Sequence, residues 1–226
     1  MAGSEKCLTF AREQGSVKRC GPLNLQCLEQ NQLYPVFLKV SEFKIGIVGG
    51  GAVGLEKLHF LLKSSPSARV QLISREFLPE LVDLAEKHGV ELLRNSYDKT
   101  FLQGKQLVIA ATDDTGVNLQ VHRDCKEANI LVNVADNPPY CDFYMGGIVT
   151  RGNLKLAIST NGKSPTAAKR IRQFFEEVLP EGMEELLSNL SQYREMIQGD
   201  LSERVSRLNA LTRDMIRQND AGPKDS

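Results

Sequence analysis

The sequence predicts an α/β fold in which a doubly wound, mainly parallel sheet is followed by a small β-hairpin and then a helical region. Three observations predict it. Short apolar runs at 44–48, 68–73, 107–111 and 130–135 read as buried strands. Stretches of helical periodicity separate them, the first with Leu55, Leu58, Leu61 and Leu62 on one stripe. Beyond Asp136 the alternation ends: 148–158 reads as two strands around a turn at Arg151-Gly152-Asn153, and from Thr166 the chain reads as helical to about Gln218.

In chain order, Tyr34-Pro35-Val36-Phe37-Leu38 reads as a short edge segment. The strand at 44–48, a glycine-rich turn and a helix follow, and 68–73 completes a βαβ unit. Residues 78–88 form a predicted helix ended by Gly89, 90–93 and 107–111 are strands, 117–128 is a helix and 130–135 extends the sheet. Breaks near Pro180 and Gly199 divide the C-terminal part into about three helices. The predicted organisation is a disordered extension over 1–30, a Rossmann-like domain over 31–145, dimerisation strands and an anion loop over 146–165, and a helical region over 166–226. A hairpin and a few helices bury little by themselves, and dimerisation would cover them. The tail at 220–226 is polar and contains Gly222-Pro223.

The glycine-rich turn is Gly49-Gly50-Gly51-Ala52-Val53-Gly54. Between a strand and a helix this spacing suits a dinucleotide: Gly49 for the tight turn, Gly51 for backbone approach to a diphosphate, Gly54 for close packing. The unpaired N–H groups from Ala52 and Val53 onward would point at the phosphates. Glycines also serve strand-to-helix turns that bind nothing. About twenty residues on, where an acid usually meets the ribose, the chain has Ser74-Arg75-Glu76. Arg75 could accept a 2′-phosphate, Glu76 could turn inward, or Arg75 could be a solvated surface charge, so the residues leave NAD and NADP open. Thr112, at the end of the strand at 107–111, is assigned to cofactor contact. Asp113 and Asp114 read as the acidic first turn of the next helix, and Asn118 as a packing or capping residue.

The 226 residues carry 28 basic and 28 acidic side chains and 41% hydrophobic residues, which suits a globular protein and gives no support to nucleic-acid binding. No apolar run approaches the ~20 residues of a membrane span, and no secretory signal is evident, so a cytoplasmic, membrane-free protein is expected. Cys7, Cys20, Cys27, Cys125 and Cys141 form no CxxC pair and His59, His88 and His122 no cluster, so no resident metal is expected.

Five ordered blocks carry a resemblance: the segment at Tyr34, the Ile47-Val48-Gly49-Gly50-Gly51 loop, Ala110-Ala111-Thr112-Asp113-Asp114 with Asn118, Asn133-Val134-Ala135-Asp136, and Leu156-Ala157-Ile158-Ser159-Thr160-Asn161-Gly162-Lys163-Ser164-Pro165. Together they resemble the siroheme synthase family, and within it the precorrin-2 dehydrogenase/sirohydrochlorin ferrochelatase module without a methyltransferase domain. The resemblance covers roughly residues 32–215. It implies a homodimer that oxidises the tetrapyrrole precorrin-2 with NAD and, in bifunctional members, inserts ferrous iron as a substrate. Other members are dehydrogenases only.

The resemblance makes Asp136 the catalytic base. Its place after a predicted strand agrees, because open α/β sheets bind ligands beyond the carboxyl ends of their strands. Read without the resemblance, the residues favour Asp136 shaping an Asx turn before Asn137-Pro138-Pro139, and the family motif reverses that preference. The run Ser159, Thr160, Asn161, Gly162, Lys163 and Ser164 is expected to hold the acidic substrate: Ser164 reads as an N-cap with Pro165 at the first helical position, and Lys169, Arg170 and Arg172 follow. The alternative is an ordinary capped helix with a solvated basic face. Phe174, Phe175, Val178, Leu186, Leu187, Leu190, Leu208 and Leu211 read as core or dimer packing. Two other function classes fit the nucleotide fold, a different oxidoreductase and a non-catalytic NAD-sensing module.

Overall fold

The structure, a computed structural model, describes residue 31, residues 33–197 and residues 200–213. Contacts divide the chain into two units, Met1–Pro35 and Val36–Ser226, and every element below belongs to the second. Five parallel strands, β1 (Lys44–Val48), β2 (Arg69–Ser74), β3 (Glu91–Arg94), β4 (Leu107–Ala110) and β5 (Leu131–Val134), form one sheet in the order β3-β2-β1-β4-β5. This is the order of a dinucleotide-binding sheet, and it reverses direction between β1 and β4, where such sheets bind their ligands.

The strands are apolar throughout because both faces are covered. Ile45, Ile47, Leu107 and Ile109 pack with Leu58 and Leu62 of helix α1 (Ala52–Ser64) and Leu81 and Ala85 of α2 (Pro79–His88). Val48, Val108, Ala110, Val132 and Val134 pack with Val121 and Cys125 of α3 (Thr115–Glu127). The period of two along each strand assigns its side chains alternately to these two cores. The outer edge of β5 is closed by the segment after it: Val132 N–H donates to Asp142 Oδ2 (3.1 Å) and Asp142 N–H donates back to the Val132 carbonyl (2.8 Å).

A separate antiparallel pair, β6 (Gly147–Arg151) and β7 (Leu154–Ile158), carries α4 (Pro165–Val178) against it, and α5 (Met183–Met196) and α6 (Leu201–Thr212) follow. Val149 anchors the pair at 1% exposure. Among the described residues, α4 and α6 bury none, and Phe174 and Val205 stand 57% and 47% exposed. No described helix is long and apolar enough to cross a membrane.

One predicted element is corrected. The segment Tyr34-Pro35-Val36-Phe37-Leu38 is not a strand, and Val36 and Phe37 are 58% and 70% exposed. Pro35 has no N–H to give a ladder, and the chain instead enters the sheet through a 3₁₀ turn, Val40–Glu42, with Val40 and Phe43 packed on the core. The expected extension at 1–30, with Cys7, Cys20 and Cys27, and the tail at 220–226 lie outside the described residues.

Candidate functional site

The glycine turn is held by three backbone contacts. Gly49 N–H donates to the Ile73 carbonyl (2.9 Å), Ala111 N–H to the Val48 carbonyl (2.8 Å) and Leu78 N–H to the Gly50 carbonyl (2.9 Å), so the ends of β1, β2 and β4 meet there. A Cβ placed on Gly49 (φ +125°) would lie 2.3 Å from the Ala111 carbonyl oxygen, on Gly50 2.1 Å from that of Glu76, and on Gly54 2.2 Å from that of Gly49. Packing within the protein therefore explains those three glycines. It does not explain Gly51.

Gly51 is the N-cap of α1, with φ −85° and ψ −165°, a conformation any residue adopts, and a Cβ there would meet nothing within 4 Å. Neither strain nor packing calls for glycine at that point. No side chain caps this helix end, so the N–H groups of Ala52, Val53 and Gly54 are left by helix geometry without intrahelical partners. Open space over an uncapped, positively polarised helix end fits a dinucleotide diphosphate.

Ser74 is the last residue of β2, and Arg75 and Glu76 beyond it are exposed. Thr112 follows β4, and its backbone nitrogen lies 3.0 Å from the position a Gly49 Cβ would take. Its turn is fixed by Asn118, 7% exposed: Asn118 Oδ1 accepts from Thr112 N–H (3.1 Å) and Oγ1 (2.7 Å), and Asn118 Nδ2 donates to the Thr112 carbonyl (2.9 Å). Asp114 caps α3, accepting from the N–H groups of Gly116 (2.7 Å) and Val117 (3.1 Å). The sequence showed Asn118 as a side chain that packs or caps; its use as a clamp on Thr112 requires the fold.

A second cluster surrounds a cavity of about 560 Å³ between the end of β5, α1, the hairpin and the start of α4. Asp136, Ser159, Thr160 and Gly162 line it, with Lys169 and Arg172 from α4. Asn161, Lys163 and Ser164 belong to the same loop but are not among the lining residues, nor are Thr112, Ser74 and Arg75. The loop is shaped internally. Thr160 Oγ1 donates to the Ser164 carbonyl (3.1 Å) and accepts from Ser164 N–H (3.2 Å), Ser164 Oγ accepts from Ala167 N–H (3.2 Å), and Asn161 and Gly162 take φ of +55° and +74°. Arg170 bonds Gln173 (3.2 Å).

Asp136 is exposed and takes φ +57° two residues after the end of β5. An Asx turn from it would need the N–H two residues on, and that residue is Pro138, which has none. Around it, buried Asn133 donates to the Phe143 carbonyl (2.8 Å), and Cys141 Sγ accepts from Val134 N–H (3.3 Å). Burial pushes the Cys141 thiol up, against the opposing effects of the Val134 N–H and the Lys57 charge. Sequence reasoning missed Lys57, Glu56, Tyr144 and Met145, which also line the cavity. Spacing carries no sign of them, because they reach it from α1 and from the connection before β6. Among the described residues no group of three or more His, Cys, Asp or Glu side chains is placed to hold a metal.

Residues 36–147 match a family model described as NAD(P)-binding, and residues 151–177 match the central segment of sirohaem biosynthesis proteins. The siroheme synthase of Psychrobacter sp. (strain PRwf-1) is 36% identical over 168 residues, covering 74% of this chain and 34% of that protein. The siroheme synthase of Chromobacterium violaceum is 36% identical over 166 residues, covering 74% and 35%. The chain thus spans about a third of the length of these relatives. Among solved structures, SirC, a precorrin-2 dehydrogenase, superposes with a TM-score of 0.65 at 23% identity over 82% of this chain and 92% of that one, which shows a shared fold. The chain belongs to the siroheme synthase family, in the part that joins its NAD(P)-binding domain to the central sirohaem-biosynthesis segment.

Proposed function

We propose that this chain oxidises precorrin-2 to sirohydrochlorin with NAD. The observation that carries the reading is the meeting of Asp136 with the Ser159–Gly162 loop in one cavity, walled by the helix whose N-terminus bears the glycine turn. The cavity volume, about 560 Å³, falls in the ~300–1,000 Å³ range of small-molecule sites. Lys57, Lys169 and Arg172 on its wall suit a substrate rich in carboxylates.

The reaction removes one hydride and one proton from precorrin-2 and yields sirohydrochlorin, NADH and H⁺. NAD, when bound, supplies the hydride acceptor. Gly51 with the N–H groups of Ala52, Val53 and Gly54 holds the diphosphate, and Thr112, clamped by Asn118, positions the cofactor beside the glycine turn. Ser74 and Arg75 serve its ribose end. Asp136 accepts the proton at a carboxylate oxygen and passes it to water, for which its exposure is suited. Ser159, Thr160 and Gly162 contact the substrate, while Asn161, Lys163 and Ser164 shape the loop that does so. NAD rather than NADP follows the family resemblance.

Ferrous iron enters as a substrate. Its insertion displaces two pyrrolic protons, which the Asp136 carboxylate accepts one at a time and passes in turn to water. The working unit is a homodimer: β6 and β7 form a two-stranded pair outside the main sheet, backed by α4, and α4 and α6 expose apolar residues that a second copy would cover.

The test is incubation with precorrin-2 and NAD, and in parallel NADP, following NADH and the sirohydrochlorin spectrum together. Equal amounts of both products are expected with NAD. Silence with both cofactors removes the enzyme reading. Ferrous ion added to the product then tests insertion.

A further inference from the structure

Lys57 lies on α1, six positions beyond the Gly51 N-cap, about 9 Å along the helix axis at 1.5 Å per residue. Its side chain is only 21% exposed and lines the cavity that holds Asp136. A surface lysine ordinarily extends its ammonium into water. This one is largely covered, and its ion pair is with Glu56 (2.9 Å), the preceding residue, itself 65% exposed. Such a pair contributes little and yields easily to a better acceptor. The Lys57 charge also acts on the Cys141 thiol, which bonds Val134 and the Asn137 carbonyl on either side of Asp136. Val134, Ala135 and Asp136 at the end of β5 line the same cavity as Lys57. The other cations of the cavity, Lys169 and Arg172, come from α4. Arg172 is already engaged by Glu176 one turn on.

We infer that Lys57 is a substrate-specificity residue that binds a peripheral carboxylate of the tetrapyrrole from the α1 wall, while Lys169 and Arg172 bind others from the α4 wall. The inference rests on the proposed reaction and adds to it a contact from the nucleotide-binding domain. Its consequence is that one helix secures the cofactor at its N-terminus and the substrate less than two turns further on. A substrate lacking that carboxylate would be held from one wall only.

The experiment compares Lys57→Met and Lys57→Arg with the full-length wild type. It measures KM for precorrin-2 and for NAD, spectral titration with sirohydrochlorin, and the salt dependence of KM. Lys57→Met is expected to raise the precorrin-2 KM and weaken sirohydrochlorin binding by about tenfold or more, the worth of one charge-assisted hydrogen bond. The NAD KM and the melting temperature stay unchanged, and the precorrin-2 KM becomes less sensitive to salt. Lys57→Arg restores most of the loss, since it keeps the charge. An active wild type with an unchanged precorrin-2 KM in Lys57→Met overturns the inference and leaves the proposed reaction standing. A rise in NAD KM instead overturns it in favour of a cofactor contact. A wild type that neither oxidises precorrin-2 nor binds sirohydrochlorin removes both.

Discussion

Gly50 and Gly51 are neighbours of the same type, yet the structure predicts opposite consequences of the same substitution. In Gly50→Ala the new methyl would sit 2.1 Å from the Glu76 carbonyl oxygen and 2.7 Å from the Phe77 ring. The first neighbour is backbone and cannot rotate away, so the turn must shift, at about 1–3 kcal/mol by analogy with overpacked cores. In Gly51→Ala the methyl meets nothing within 4 Å and the backbone is already in a region open to alanine. The entropic gain of Gly→Ala, ~0.4–1 kcal/mol, is offset by the poorer N-cap. Scanning calorimetry should place Gly51→Ala within a degree or two of wild type, and Gly50→Ala lower by roughly 2–4 °C per kcal/mol. NAD titration calorimetry should show the reverse order of harm for Gly51→Ala. A methyl over the helix end pushes a phosphate oxygen off at least one N–H, losing about 1.5–3 kcal/mol, or roughly 10–150-fold in Kd. Wild-type NAD affinity in a folded Gly51→Ala protein would refute the assignment of that open space to the diphosphate.

Four further outcomes follow from the same geometry. Asp136→Asn should fold normally, because asparagine tolerates the +57° φ, while kcat falls by ~10²–10⁴, read from initial rates of NADH formation. Asn118→Ala leaves Thr112 without its clamp and should cost about 1–3 kcal/mol in urea unfolding. The Cys125 thiol is pushed by burial from 9.0 up to about 12, so peptide mapping after iodoacetamide at pH 8 should find it unmodified in the folded protein. The stability its neutral form contributes is complete below pH 9.0 and is lost as pH rises from there through about 12; in alkaline melts Cys125→Ala should therefore decline less steeply than wild type. Sedimentation equilibrium should give twice the 25.1 kDa chain mass, and Phe174→Glu should shift it towards the monomer.

The sheet was legible because its strands are buried on both faces, so the apolar runs at Lys44–Val48 and Leu107–Ala110 needed no partner information to be read. The Ser164-Pro165 helix start was legible for a local reason too, a hydroxyl three residues before the N–H it caps. The failure at Tyr34-Pro35-Val36-Phe37-Leu38 has the converse cause: β-forming residues make a strand only where a partner edge exists, and none pairs with them. In the glycine turn the pattern named Gly51 but gave no reason for glycine at position 50, since the carbonyl that excludes a side chain at Gly50 belongs to Glu76. Lys57, Tyr144 and Met145 were invisible because what places them on the cavity is the docking of the hairpin beside α1. Asp136 could be proposed from its position after β5, but the loss of its Asx-turn alternative needed only Pro138 and was available in the sequence.

In the proposed reaction a nicotinamide and a tetrapyrrole meet beside Asp136. A crystal structure of the protein with NAD and sirohydrochlorin bound tests it most directly. It should show the diphosphate over Gly51 and the macrocycle in the cavity between Asp136 and the Ser159–Gly162 loop, with the two ligands in van der Waals contact. Ligands in separate cavities, or a macrocycle away from Asp136, would contradict it.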